Sequence, residues 1–192
     1  MNPDDELDGI LAFLRTAERL KSVTRSGWTA AGERESVAAH SWRLTLMAAV
    51  LADRFSEIDV ARLLRICLVH DLGEALRGDI PAPAQAGGKA EHERVDLLEV
   101  LAPLPERLRD QLAELWDEYE AAQSSEARLA KALDKLETIL QHTQGKNPSK
   151  FDYRFNLGYG REYTKAPPLI AAIRALLDEA TERRAIEEDS RG

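Results

Sequence analysis

The chain has 192 residues, 44% of them hydrophobic and 31% charged, a composition suited to one globular domain with a buried core. Its net charge of -8 excludes the broad cationic face that a nucleic-acid polymer requires, so any phosphate must be gripped locally by a few basic side chains or a metal. No apolar run has the length to span a bilayer, and the acidic opening MNPDDELDGI lacks the order of a signal peptide. The single cysteine, Cys67, offers no internal disulfide, and the expected compartment is the cytoplasm.

Helical periodicity dominates the chain. Leu7, Ile10, Leu11, Leu14 and Leu20 recur at helical spacing after Pro3 and Asp4. A loop with Gly27 and Gly32 is expected next, and then a helix starting near Ser36. That helix carries Val37, Leu44, Met47, Ala48, Leu51 and Phe55 on one face. Residues 60–76 read as a further helix, apolar on nearly every side up to Val69 and stopped by Gly78 and Pro81. The stretch PAPAQAGGKA reads as a loop, followed by helices over roughly 91–101, 105–121 and 126–142. From 145 to 168 the periodicity lapses into Gly, Pro and aromatics. A last helix over about 169–186 leads into a charged tail, 187–192, expected to be disordered. No window alternates as a strand should. The expectation is one all-α domain over residues 1–186.

Polar residues interrupt this apolar pattern at particular places. His40 lies three residues after Val37 and four before Leu44, on the core stripe of its helix. A histidine there needs only a hydrogen-bond partner, so alone it does not define a site. His70, Asp71 and Glu74 follow directly on an apolar run, and burying unpaired charges there would cost several kcal/mol or more. Asp134 lies beside the Leu129, Leu133, Leu136 and Leu140 stripe. Taken singly, it reads as a solvated carboxylate near Lys131 or Lys135. Together the two imidazoles and two carboxylates form an N/O set suited to a first-row divalent metal. Such an ion would compensate the buried charges.

These residues fall in a familiar order. The segments LKSVTRSGW, ESVAAHSWR, VHDLGEALRGDIPAP and LWDEYEAAQSSEARLAKALDKLE resemble the HD-domain metal-dependent phosphohydrolases, in particular the HD-domain 5′-deoxynucleotidases of bacteria and eukaryotes. The resemblance spans roughly residues 11–142. It implies an HD helical bundle with one divalent ion (Co2+, Mn2+, Mg2+, Fe2+ or Zn2+) held by His40, His70, Asp71 and Asp134. It further implies Glu74 and Asp79 as catalytic acids and Arg25 at the nucleotide phosphate, with Trp28 and Lys89 as candidates for the substrate pocket. A homodimer is implied as well. The family usually places glutamate directly before the first histidine, where this chain has Ala39. That change removes a capping-box partner of Ser36 and no ligand.

The activity so implied is release of phosphate from 2′-deoxynucleoside 5′-monophosphates, with a small-molecule nucleotide as the only partner besides a second copy. Three alternatives are open on the sequence. A di-iron oxygenase needs further histidines between His70 and Asp134, and His92 alone is available. A hydrolase of (p)ppGpp needs a Glu-Asp pair that LGEALRGDIPAP lacks, and a nucleoside triphosphate would need more cations. A catalytically silent nucleotide-binding module has no use for the full ligand set.

Overall fold

The computed structural model describes residues 3–79 and 89–190. Helix α1 (Pro3–Ala17) runs into a 3-10 turn, Glu18–Lys21, and then into a hairpin of β1 (Thr24–Trp28) and β2 (Arg34–Ser36). The strands are antiparallel and irregular, with Thr24 opposite Ser36 and Trp28 opposite Arg34. This hairpin stands where the sequence suggests a loop. Its strands are short and polar, and only Gly27 and Glu35 are buried. Ser36 then caps α2 (Val37–Leu51), its hydroxyl accepting from the Ala39 N–H at 3.1 Å, so the helix start survives without the glutamate.

Helix α3 (Val60–Val69), capped by Asp59 on the Arg62 N–H, is not buried all round. Leu63, Ile66 and Cys67 are in the core, whereas Leu68 is 52% exposed. Nor does it continue to Leu76. The chain turns through residues 70–73 and restarts as α4 (Glu74–Arg77). The turn brings Gly73 against α5 (Lys89–Leu101), where a β-carbon would lie 2.8 Å from the Glu93 carbonyl oxygen. The loop expected before α5, with Pro81, lies outside the described residues, as does the side chain of Lys89.

Helix α6 (Glu106–Ala121) leads to α7 (Ser125–Gln144), the axis of the molecule. Ser124 caps α7 through the Ala127 N–H at 3.0 Å. Helices α2, α3, α6 and α10 (Pro168–Asp189) all pack on α7, and most of its residues are buried. A helix so enclosed presents core positions on every face, including those of Lys131, Asp134 and Glu137.

The segment after α7 is ordered by side-chain contacts more than by helical repeats. It holds two single turns, α8 (Phe155–Gly158) and α9 (Arg161–Thr164). Arg174, buried on α10, donates to the carbonyls of Asn156 at 2.8 Å, Leu157 at 3.0 Å and Tyr159 at 2.7 Å, and pairs with Asp178 at 2.7 Å. Between the turns Gly160 adopts φ 63° and passes over the stem of Lys135, where a β-carbon would come within 2.4 Å of Lys135 Cγ. Helix α10 continues to Asp189, so Glu187, Glu188 and Asp189, expected in a disordered tail, are helical. No helix among the described residues is long and apolar enough to cross a membrane.

Candidate metal centre

The two histidines are oriented by acceptors behind them. His40 is fully buried on α2, and its Nδ1–H donates to the Glu137 carboxylate three residues beyond Asp134 on α7. Glu137 is held in turn by Arg43 Nε at 2.7 Å. His70, where α3 ends, donates Nδ1–H to the Cys67 carbonyl at 2.9 Å. A carbonyl and a carboxylate can only accept, so the proton of each neutral ring lies on Nδ1 and the lone pair on Nε2. Both Nε2 atoms are buried and make no hydrogen bond.

What they face is carboxylate. His40 Nε2 lies 3.2 Å from Asp134 Oδ1 and 3.8 Å from Asp71 Oδ2, and His70 Nε2 lies 3.0 Å from the same Asp71 oxygen. Ligand atoms of His40, His70 and Asp71 fall within 4.8 Å of one another. Two lone pairs opposed to two buried carboxylates repel unless a cation sits among them. Burial and the charge of Arg25 push His40 down, yet Glu137 and Asp134 outweigh them and hold it up to about 10. That field, which would hold an extra proton, suits a divalent ion equally. The donor set and the buried, unbonded nitrogens fit such an ion.

The turn after α3 explains how adjacent residues can share one centre. On a continuing helix His70 and Asp71 would diverge by about 100°. Leaving the helix at Val69 lets both side chains reach the space beside α7. Asp71 Oδ2 accepts from Arg25 Nη1 at 2.9 Å. Burial would raise Asp71, but His70, Arg25 and His40 hold it well below the usual carboxylate range. Asp134 is likewise depressed against burial, chiefly by Lys135 and His40. Its Oδ2 accepts from Tyr119 Oη at 2.8 Å and Lys135 Nζ at 2.7 Å, so Asp134 is no solvated carboxylate.

His70, Asp71 and Asp134 form the floor of a cavity of about 620 Å3 that Arg25, Glu74 and Asp79 also line. Glu74 is buried at the start of α4. Trp28 is not brought to this cavity; its ring lies under the Arg34 guanidinium, 5.4 Å from the centroid. His92 is exposed on α5 and is not grouped with His40, His70 and Asp71. Residues the sequence did not single out are Glu137 and Tyr119, with Phe151, Phe155 and Tyr159 also lining the cavity. A signal existed for Glu137, which is three residues from Asp134 on one helix face.

A family model described as HD domain matches residues 17–174. The chain is 41% identical over 141 residues to the 5′-deoxynucleotidase HDDC2 of Mus musculus, covering 71% of this chain and 69% of that one. It is 34% identical over 191 residues to the 5′-deoxynucleotidase HDDC2 of Xenopus laevis, covering 95% and 92%. The crystal structure of a predicted metal-dependent phosphohydrolase from Magnetospirillum magnetotacticum superposes with a TM-score of 0.83 at 30% identity, covering 95% of this chain and 96% of that one.

Proposed function

This chain belongs to the HD-domain family, and on that premise we propose that it is a divalent-metal-dependent hydrolase of 2′-deoxynucleoside 5′-monophosphates. The observation that carries the reading is the pair of buried, unbonded Nε2 atoms facing Asp71 and Asp134 at the floor of a nucleotide-sized cavity. The relatives named 5′-deoxynucleotidase support the substrate class.

His40, His70, Asp71 and Asp134 would hold the ion, which would supply Lewis acidity to the phosphoryl group and lower the pKa of water. Arg25 then grips the phosphate oxygens by charge-assisted hydrogen bonds. Lys135, bonded to Asp134 as Arg25 is to Asp71, balances the same charge. Glu74 orients the attacking water and takes its proton. Asp79 protonates the departing 5′ oxygen or fixes the sugar. The products are a deoxynucleoside and inorganic phosphate. A wall with no partner for a 2′-hydroxyl would set the sugar preference, worth ~1–3 kcal/mol.

A homodimer belongs to the same proposal. Leu14, Trp42, Leu46 and Leu68 line an apolar depression spanning α1, α2 and α3, with Trp42 65% exposed. A second copy would remove that surface from water. Cytoplasmic residence is part of the same proposal, and Cys67 is a buried free thiol that serves as a small apolar core residue. The test is phosphate release from dAMP, AMP and dATP after the stripped protein is reloaded with single divalent ions. Turnover of dATP above dAMP, or no release with any ion, refutes the assignment; equal rates on dAMP and AMP remove the sugar preference alone.

A further inference from the structure

The cavity has two unlike walls, and the chemistry at its floor accounts for only one of them. Beside Arg25 and the ligand cluster, the lining includes Phe155 and Tyr159 from the segment after α7. Their rings form a tilted pair, 5.5 Å between centroids and 32° between planes. Phe155 keeps 37% of its surface exposed, a large aromatic left open on a cavity wall. Tyr159 is backed by Lys135, whose Nζ lies 5.2 Å from the ring and 2.7 Å from Asp134 Oδ2. The aromatic pair is therefore tied to the ligand cluster through one side chain.

Two further observations bear on what this wall receives. Its backbone is fixed. Arg174 holds the carbonyls of Asn156, Leu157 and Tyr159, and the Asp152 carboxylate accepts from the Phe155 N–H at 3.2 Å. A stacking platform needs that rigidity, whereas a lid would not have it. Asp152 and Glu162 line the cavity with the aromatics, whereas the cations Arg25 and Lys135 sit on the ligand carboxylates. An anionic group is directed to the floor, and a flat, neutral group to the wall.

We propose that Phe155 and Tyr159 form the seat for the nucleobase, with the base stacked on the open face of Phe155. The proposal rests on the nucleotidase reading and adds to it the end of the substrate that the metal centre leaves unrecognised. Stacking is tolerant of base identity because every base has a π face. The enzyme should therefore accept all four bases, purines best for their larger area.

The experiment uses metal-loaded protein and compares wild type, Phe155→Ala and Phe155→Trp. Calorimetry reads the binding of deoxyadenosine, and kinetics read KM for dAMP and for the base-free deoxyribose 5-phosphate. Phe155→Ala should weaken deoxyadenosine binding and raise KM for dAMP about 5- to 150-fold. KM for deoxyribose 5-phosphate and the metal content should not change, and Phe155→Trp should restore the first two. The seat is overturned if the alanine variant shifts dAMP and deoxyribose 5-phosphate alike, or shifts neither. It is also overturned if Phe155→Ala alters only self-association, which would assign the patch to a subunit contact. If no substrate releases phosphate while deoxyadenosine binding still falls in Phe155→Ala, the hydrolase reading fails and the seat stands.

Discussion

Glu137→Gln is the most informative perturbation of the metal centre, because Glu137 is placed to act on an ion without being one of the proposed ligands. The fully buried carboxylate accepts the His40 Nδ1 proton and is itself held by Arg43. Glutamine keeps the shape but removes the charge that holds the imidazole in one orientation and makes Nε2 a stronger donor. Losing such a partner typically weakens metal binding about 10- to 100-fold, or roughly 1.4–2.7 kcal/mol. With the ion at a fixed concentration well above its Kd, stability drops by the same amount. For a domain of this size each kcal/mol moves Tm by about 2–4 °C, so the metal-induced rise in Tm should shrink by roughly 3–10 °C. The assay pairs thermal melts, with and without ion, with chelator competition for affinity. Arg43 can turn to Glu35, whose carboxylate lies 4.0 Å away, so the metal-free melt should change less than the metal-bound one. An unchanged metal-induced rise would refute the orienting role.

Asp71→Ala should abolish the bound ion, about one per chain in the wild type; elemental analysis giving equal metal in both proteins would remove Asp71 from the ligand set. Glu74→Ala should keep its metal and lose on the order of 10²–10⁴-fold in kcat, and near-normal turnover would transfer the proton-handling role to Asp79. Glu35 gives a pH signature. Burial first, and then the neighbouring Glu137, raise its carboxyl from 4.5 to about 7. The folded chain thus holds a proton there that the unfolded chain has lost, and stability falls as pH climbs from about 4.5 through about 7. Glu35→Gln should remove that fall and gain on the order of 1–3 kcal/mol over wild type at pH 8, read from denaturant melts; parallel pH profiles would contradict it.

The helices were legible because apolar residues recur at three and four along each of them, and the four proposed ligands because ionisable groups interrupt those stripes. Three things were not. The hairpin of β1 and β2 carries almost no hydrophobic alternation, since main-chain bonding and the close pass of Gly27 over Gln141 hold it in place. The break after Val69 follows from a contact distant in sequence, Gly73 against Glu93 and Leu97, and local propensity cannot register it. Segment 145–168 owes its order to Arg174, a charged residue on a helix whose burial only the assembled fold reveals. The proximity of Lys135 to Asp134 was legible in the chain, whereas the burial of Asp134 follows from the packing around α7.

The centre is stitched together from remote parts of the chain. His40 meets Glu137 across 97 positions, and Arg25 reaches Asp71 across 46 and Thr138 across 113. Closing loops of that length is slow and comes after local helix formation, so the ligand cluster is a late event in folding. An ion captured there stabilises contacts that are largely missing from the transition state. It should therefore lengthen the lifetime of the native protein without speeding its formation. In a chevron plot, added metal would lower the unfolding arm and leave the refolding arm where it was.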